Sequence, residues 1–269
     1  MPRKHFATHI ITDENQIGFS ACSYGKFKFG ASSIGETFGK NLFNSFYEKN
    51  KLELLSYKTI IVYSSPYDFI PTATMSMALK FYQLLETKIG LKAEVKFSKI
   101  SRQTTYSVDY GNLSAKERME LIGADCFKLE ENVDPGDLLI MIDDIKITGS
   151  HERVINNMLN KYKLNNDCFF LYHAILHNPQ IPPQFENFLN YSAINSTHDL
   201  TTITEGNDFI INTRFVKYIL KLNKSSFNEF VSSSNNDILS AIIENAIGNE
   251  YQNIDDYKNN FEALKSELN

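Results

Sequence analysis

One stretch constrains this chain more than any other: Leu138-Leu139-Ile140-Met141-Ile142-Asp143-Asp144-Ile145-Lys146-Ile147-Thr148-Gly149-Ser150. Leu138–Ile142 is a continuous apolar run of strand length, as expected for a strand buried on both faces. Two adjacent carboxylates end it, and Thr148-Gly149-Ser150 follow. From Ser150, the residues Val154, Ile155, Met158, Leu159 and Tyr162 recur at helical spacing, which predicts a helix over 150–162. A buried strand, a short loop and a helix make a site. Ligands of open α/β sheets sit at the carboxyl ends of the strands. The helix N-terminus presents unpaired N–H groups and the positive end of a dipole, which suit a phosphate. Thr148 and Ser150 add hydroxyls, and Gly149 allows close approach of the backbone. Asp143 and Asp144 can accept hydrogen bonds from hydroxyls, or help to hold a hydrated divalent cation. Phosphate on one side, with diol and metal on the other, describes a phosphorylated sugar.

The flanking pattern supplies the fold class. Lys58–Ser64 reads as a buried strand, followed by a loop marked by Ser65-Pro66 and Pro71. Thr72–Ile89 is helical through Met75, Leu79, Tyr82, Leu85 and Ile89. Ala93–Ser101 alternates like a strand, and Cys168–Leu176 is another buried one. This succession is a parallel α/β pattern. A helix is predicted near 33–49, with Ser33-Ile34-Gly35-Glu36 spaced as a capping box. The first ~30 residues read as short strands or loops. Residues 102–116 read as a long mobile loop, 113–121 as the start of a helix, and 126–129 as a short strand. Beyond Pro179, Pro182 and Pro183, helical patterns dominate: Ile238–Ile247 forms an apolar face with Gly248 placed as its stop, and Tyr257, Phe261, Leu264 and Leu268 form another. The expected organisation is an α/β core over 1–200 and a mainly helical extension over 201–269 that such a core does not need.

Composition excludes several classes. Three cysteines (Cys22, Cys126, Cys168) in 269 residues are too few and too dispersed for a disulfide scaffold, and read as buried small hydrophobes in a reducing, cytoplasmic compartment. No apolar stretch approaches the ~20 residues of a spanning helix, and no h-region follows Met1. A net charge of -5 argues against a dedicated nucleic-acid binder.

The Asp143–Ser150 string resembles the 5-phosphoribosyl-1-pyrophosphate (PRPP) signature of type I phosphoribosyltransferases. Other pieces agree in order. Tyr24-Gly25-Lys26-Phe27-Lys28-Phe29-Gly30 resembles the Lys-Phe-Gly stretch of the ComF-like branch. Ser64-Ser65-Pro66 stands where the family has its pyrophosphate loop. Arg102-Gln103-Thr104-Thr105, Asp109-Tyr110-Gly111, Leu113 and Glu117-Arg118 resemble that branch's flexible loop. The whole is similar to the ComF-like phosphoribosyltransferases of bacterial stress-response (tellurium-resistance-type) clusters, over roughly residues 20–180.

The resemblance implies the type I phosphoribosyltransferase fold, with N-terminal hood elements. It implies that Asp143 and Asp144 bind the ribose hydroxyls and touch Mg²⁺ only indirectly, through those hydroxyls or water. Lys146, Ile147, Thr148, Gly149 and Ser150 would cradle the 5′-phosphate. Ser65, Pro66 and Tyr67 would border the pyrophosphate, and Arg102, with Arg118, would close over it. Many salvage members carry Arg or Lys in the pyrophosphate loop; Pro66-Tyr67-Asp68 supplies none, which leaves that charge to Mg²⁺ and Arg102. The implied activity is Mg²⁺-dependent transfer of a 5-phosphoribosyl group between pyrophosphate and an unread nucleobase-like acceptor, with a homodimer left open. The alternatives are a non-catalytic PRPP or nucleotide sensor of the same fold, or a ComF-like accessory protein.

Weaker signals are read plainly. His5/His9 and His173/His177 share the i,i+4 spacing of metal ligands but lie outside predicted helices. His151 is a first-turn residue within reach of a phosphate. Lys26–Phe29 reads as part of a hood or active-site wall, and Asp255-Asp256 as helix-dipole compensation.

Overall fold

The computed structural model describes residues 3–102 and 127–268. In chain order the strands are β1 (Arg3–Ile11), β2 (Thr59–Tyr63), β3 (Glu94–Ser98), β4 (Ile100–Arg102), β5 (Phe127–Leu129), β6 (Leu138–Lys146) and β7 (Cys168–Leu176). Five of them form a parallel sheet in the order β1-β7-β6-β2-β3, and β4 pairs with β5 as an antiparallel ribbon. The first helices are α1 (Ala21–Lys28), α2 (Ser32–Leu54), α3 (Thr74–Ile89) and α4 (Ser150–Lys161).

The apolar runs of the central strands divide by parity, as alternating side chains must. Ile60, Val62, Leu138, Ile140, Phe169 and Leu171 pack with Phe38, Leu42 and Phe46 of α2 and Phe81 of α3. Ile61, Tyr63, Leu139, Met141, Phe170 and Tyr172 pack on the other side with Val154, Ile155, Met158 and Leu159 of α4. Each such side chain contributes roughly 1.5–3 kcal/mol on burial.

Several expectations are corrected. β6 runs four residues past Ile142, because Asp143, Ile145 and Lys146 continue the ladder onto Tyr172, Ala174 and Ile175, and backbone pairing is indifferent to side-chain polarity. The first thirty residues hold a nine-residue strand on β7 and the helix α1, capped by Ser20 Oγ accepting from the Ser23 N–H (3.1 Å). The stretch 93–101 divides between β3 and β4. Cys22 is exposed, on α1, whereas Cys168 is buried. The expected loop and helix between 103 and 121, with Arg118 and Cys126, lie outside the described residues.

The Ser33/Glu36 capping box does not form. Helix α2 begins at Ser32 and takes its cap from far along the chain: Asp208 Oδ2 accepts from the Ser33 N–H (3.1 Å) and the Ser33 hydroxyl (2.5 Å), and Asp208 O accepts from the Ser32 N–H (3.0 Å). These hydrogen bonds hold the Asp208 carboxyl below its ordinary range. Asp208→Ala is expected to cost about 1 kcal/mol, the usual worth of an N-cap. The check is a lower urea midpoint at unchanged m-value.

A second apolar core runs from Ala193 to Leu264 and takes in Phe29 and Ile70. It is built from α5 (Phe185–Tyr191), α6 (Thr197–Thr204), α7 (Thr213–Lys221), α8 (Lys224–Ser233), α9 (Asn236–Gly248) and α10 (Asp255–Glu267). The asparagines between these helices are N-caps: Asn212, Asn223 and Asn235 accept from first-turn N–H groups of α7, α8 and α9. Gly248 is the last residue of α9 rather than its stop. The Phe69 ring lies where a Cβ would be, so the glycine serves close packing. Among the described residues no helix is long and apolar enough to cross a membrane.

Candidate functional site

Strand parity separates the two carboxylates. Asp143 follows Leu139 and Met141 on the α4 side; Asp144 follows Ile140 and Ile142 on the α1 and α2 side. Asp143 opens onto a cleft. Its Oδ1 accepts from the Ser65 hydroxyl (2.6 Å), and its Oδ2 lies 3.2 Å from His151 Nδ1. Asp144 is 5% exposed and is tied down by α1, accepting from the Tyr24 hydroxyl (2.5 Å) and from Lys28 Nζ. Burial alone would push the Asp144 carboxyl up, but the Lys28 charge and these hydrogen bonds hold it well below the usual carboxylate range. So the Lys-Phe-Gly stretch is a helix that brings a lysine and a tyrosine to the strand end.

Ile147–Gly149 link β6 to α4. Gly149 is the N-cap, with φ +69°, a left-handed value that suits glycine. No side chain caps α4, so its first N–H groups face the cleft without an intrahelical partner. Thr148 Oγ1 and Ser150 Oγ lie 2.8 Å apart. Arg153, which sequence reasoning passed over, donates to Thr148 O (3.0 Å) and Ser150 Oγ (2.8 Å) and so fixes the loop from behind. Lys146 turns to Glu152 (2.6 Å), which also meets His5 (2.8 Å) and the Tyr172 hydroxyl (2.9 Å). Asp143, Asp144 and the residues from Ile145 to Glu152 line one cleft, with Lys28, Tyr172, Glu186 and Arg214.

The residues expected at the pyrophosphate lie along the adjoining wall. The Tyr67 N–H donates to Ile100 O (3.2 Å) and the Arg102 N–H to Tyr67 O (3.1 Å), so β4 places Arg102 beside the Pro66-Tyr67 turn. Lys99, absent from the sequence reasoning, lies 4.5 Å over the Tyr67 ring and donates to Asp68 O (2.5 Å). The tail of this loop is held by the second core, where Asn249 Oδ1 accepts from the Phe69 (3.0 Å) and Ile70 (2.8 Å) N–H groups.

The C-terminal helices therefore take part in the site. Arg214 of α7 lines the cleft below, and Arg214, Lys217 and Lys221 line a second cleft beside it with Pro66 and Arg102. An amphipathic signal was legible in α7, with Phe215, Val216, Ile219 and Leu220 on its buried face; that its basic face turns toward β6 was not.

No curated protein matches the chain. Several solved structures are similar in part, two phosphoribosyltransferases by name among them. A hypoxanthine phosphoribosyltransferase from Staphylococcus aureus has a TM-score of 0.34 at 10% identity, over 52% of this chain and 74% of its own. A purine phosphoribosyltransferase from Pyrococcus horikoshii Ot3 has a TM-score of 0.28 at 11% identity, over 51% of this chain and 82% of its own. The match that identifies the chain is to the family model described as PRTase ComF-like, and it spans residues 3–264. It runs well past the 20–180 of the expected resemblance, so the C-terminal helices fall within the family's extent. With the loop between β6 and α4 at its centre, the chain belongs to the ComF-like phosphoribosyltransferase family.

Proposed function

We propose that the protein is an enzyme that binds PRPP with Mg²⁺ and transfers its 5-phosphoribosyl group to a ring nitrogen of a nucleobase-like acceptor. The observation that carries the reading is the cleft in which Asp143 stands at the end of β6, directly before the Thr148-Gly149-Ser150 turn and the uncapped start of α4. In this reading Thr148, Ser150 and the first N–H groups of α4 hold the 5′-phosphate, with Gly149 leaving room for it. Asp143 accepts from a ribose hydroxyl, oriented by Ser65 and His151. Asp144 lines the same cleft, held there by Tyr24 and Lys28. Ser65, Pro66, Tyr67 and Arg102 border the pyrophosphate. The bond from the anomeric carbon to the pyrophosphate oxygen breaks, a bond to the acceptor nitrogen forms, and the acceptor loses a proton. Residues 1–200 would then carry the phosphoribosyl donor, and 201–269 would cover it.

The donor set fits Mg²⁺ of one kind. Among the described residues no group of three or more His, Cys, Asp or Glu could hold a metal ion. A hydrated Mg²⁺ carried by substrate oxygens, with Asp143 beside it, needs no such group. When bound, it supplies charge stabilisation to the departing pyrophosphate.

Calorimetry with PRPP and Mg²⁺ tests the reading. Asp143→Asn is expected to weaken binding by about tenfold or more, the worth of a charge-assisted hydrogen bond at ~1.5–3 kcal/mol. No binding by the wild type, or equal binding by the variant, would sink it. One observation favours the sensor instead: Lys28 and Tyr24 already engage Asp144. Pyrophosphate release across a panel of bases separates the two, since only an enzyme turns over.

A further inference from the structure

We propose that the cleft beside the ribose-phosphate site is the acceptor subsite, and that it takes a planar aromatic acceptor bearing its own negative charge. The inference rests on the reading above and deepens it. This cleft shares Lys28, His151 and Arg214 with the phosphate cleft, so a molecule seated in it would lie against the phosphoribosyl group. One wall is α7. Arg214, Lys217 and Lys221 stand at i, i+3 and i+7 and share a helix face, along about 10 Å of the helix. Arg102 faces the same cleft from the end of β4. Every charged side chain that the described residues contribute to the lining is basic.

Aromatic surface lies between these charges. Tyr191 and Tyr218 are 5.8 Å apart; Arg214 lies 5.5 Å from the Tyr191 ring and Lys221 5.7 Å from Tyr257. The tyrosines offer stacking surface to a planar ring, and the basic side chains suit an anion. A neutral base would use the first and not the second. Pyrophosphate beside Pro66 and Tyr67 accounts for Arg102 and Lys217, which also line that wall. It does not account for Lys221 and Tyr257, which belong to this cleft and not to that wall. Lys221 also meets Asp256 at 3.1 Å, an exposed pairing of little strength. In a chain of net charge -5, a cleft lined by this many cations concentrates anions locally against the overall field.

The test is calorimetry on the full chain with Mg²⁺ and saturating ribose 5-phosphate, which occupies the neighbouring site. Two matched pairs serve as probes: orotate against uracil, and nicotinate against nicotinamide. The acid of each pair is expected to bind about tenfold more tightly, equivalent to ~1.4 kcal/mol. Lys221→Gln should erase that preference, and Lys221→Arg should keep it. Equal binding within both pairs, or a preference that survives Lys221→Gln, overturns the proposal. PRPP affinity of the wild-type protein, measured alongside, tests the earlier reading separately: normal PRPP binding with no preference for the acids refutes this inference alone.

Discussion

Asp144→Asn is expected to destabilise the protein by about 3–5 kcal/mol, the cost of leaving a buried charge without its partner. The side chains of Asp144 and Lys28 are only 7% and 12% exposed. Removing the carboxylate strands the Lys28 ammonium beneath the sheet and leaves the Tyr24 hydroxyl with a weaker acceptor. Lys28→Met alone is expected to cost a comparable amount, by leaving the carboxylate with Tyr24 and without a cation. The double variant Asp144→Leu/Lys28→Met removes both charges together, and should lose clearly less than the sum of the single changes. Because its folded-state pKa is depressed, Asp144 contributes stability at neutral pH that is lost as pH falls below the unfolded value of 3.8 toward the lower folded one. Urea unfolding at pH 7 of the wild type, both single variants and the double variant checks the prediction. Additive losses, or a loss under 1 kcal/mol for Asp144→Asn, would show that the pair does not hold α1 to the strand end.

This pair marks where the sequence was readable and where it was not. The string from Leu138 to Ser150 carries its own strand, loop and helix signals within thirteen residues, so the site's centre was legible, and so were β7, α3 and α4. The parity that gives Asp143 and Asp144 different neighbours follows from their adjacency on one strand, and both line the same cleft. What could not be read is the partner of Asp144, since Lys28 is 116 residues away and α1, with Gly25 inside it and no regular apolar stripe, lacks the periodicity that marks a helix. The cap of α2 fails in the same way: Ser33 and Glu36 have the spacing of a local cap, and the carboxylate that arrives is Asp208.

The C-terminal helices show the same limit at larger scale. Their apolar faces and asparagine caps are local features and can be read from the chain. Which outward face is functional depends on docking, and that is fixed by scattered contacts such as Asn249 on the backbone of Phe69 and Ile70. The consequence is electrostatic. For the ligand proposed above, an acidic chain offers no overall attraction, and the cations at the strand ends come from separate elements. Lys28 arrives from α1, Arg102 from β4, and Arg214 and Lys217 from α7.

Between neutral pH and pH 4, the His173 imidazole is expected to carry a large share of the protein's acid sensitivity. His173 lies in β7, 1% exposed, stacked on Phe38 with ring centroids 3.9 Å apart and beside Phe19 and His9 at 4.7 and 4.9 Å. Among the described residues neither ring nitrogen has a hydrogen-bond partner. Burial, with a smaller contribution from His9 and opposed by Asp144, pushes the His173 imidazole down from 6.5 to about 3. Between those values the unfolded chain binds a proton that the folded one refuses, so stability falls as the pH falls from 6.5 toward 3. At 1.36 kcal/mol per unit the full loss approaches about 4–5 kcal/mol. His173→Phe keeps a flat ring against Phe38 and removes both the proton and the two unpaired nitrogens. It is expected to match or exceed the wild type at pH 7.5, and to lose markedly less stability on acidification to pH 4. Urea midpoints from pH 8 to pH 4 give the answer: two curves that fall in parallel would mean that the imidazole finds a partner or water in solution, and that the acid sensitivity resides elsewhere.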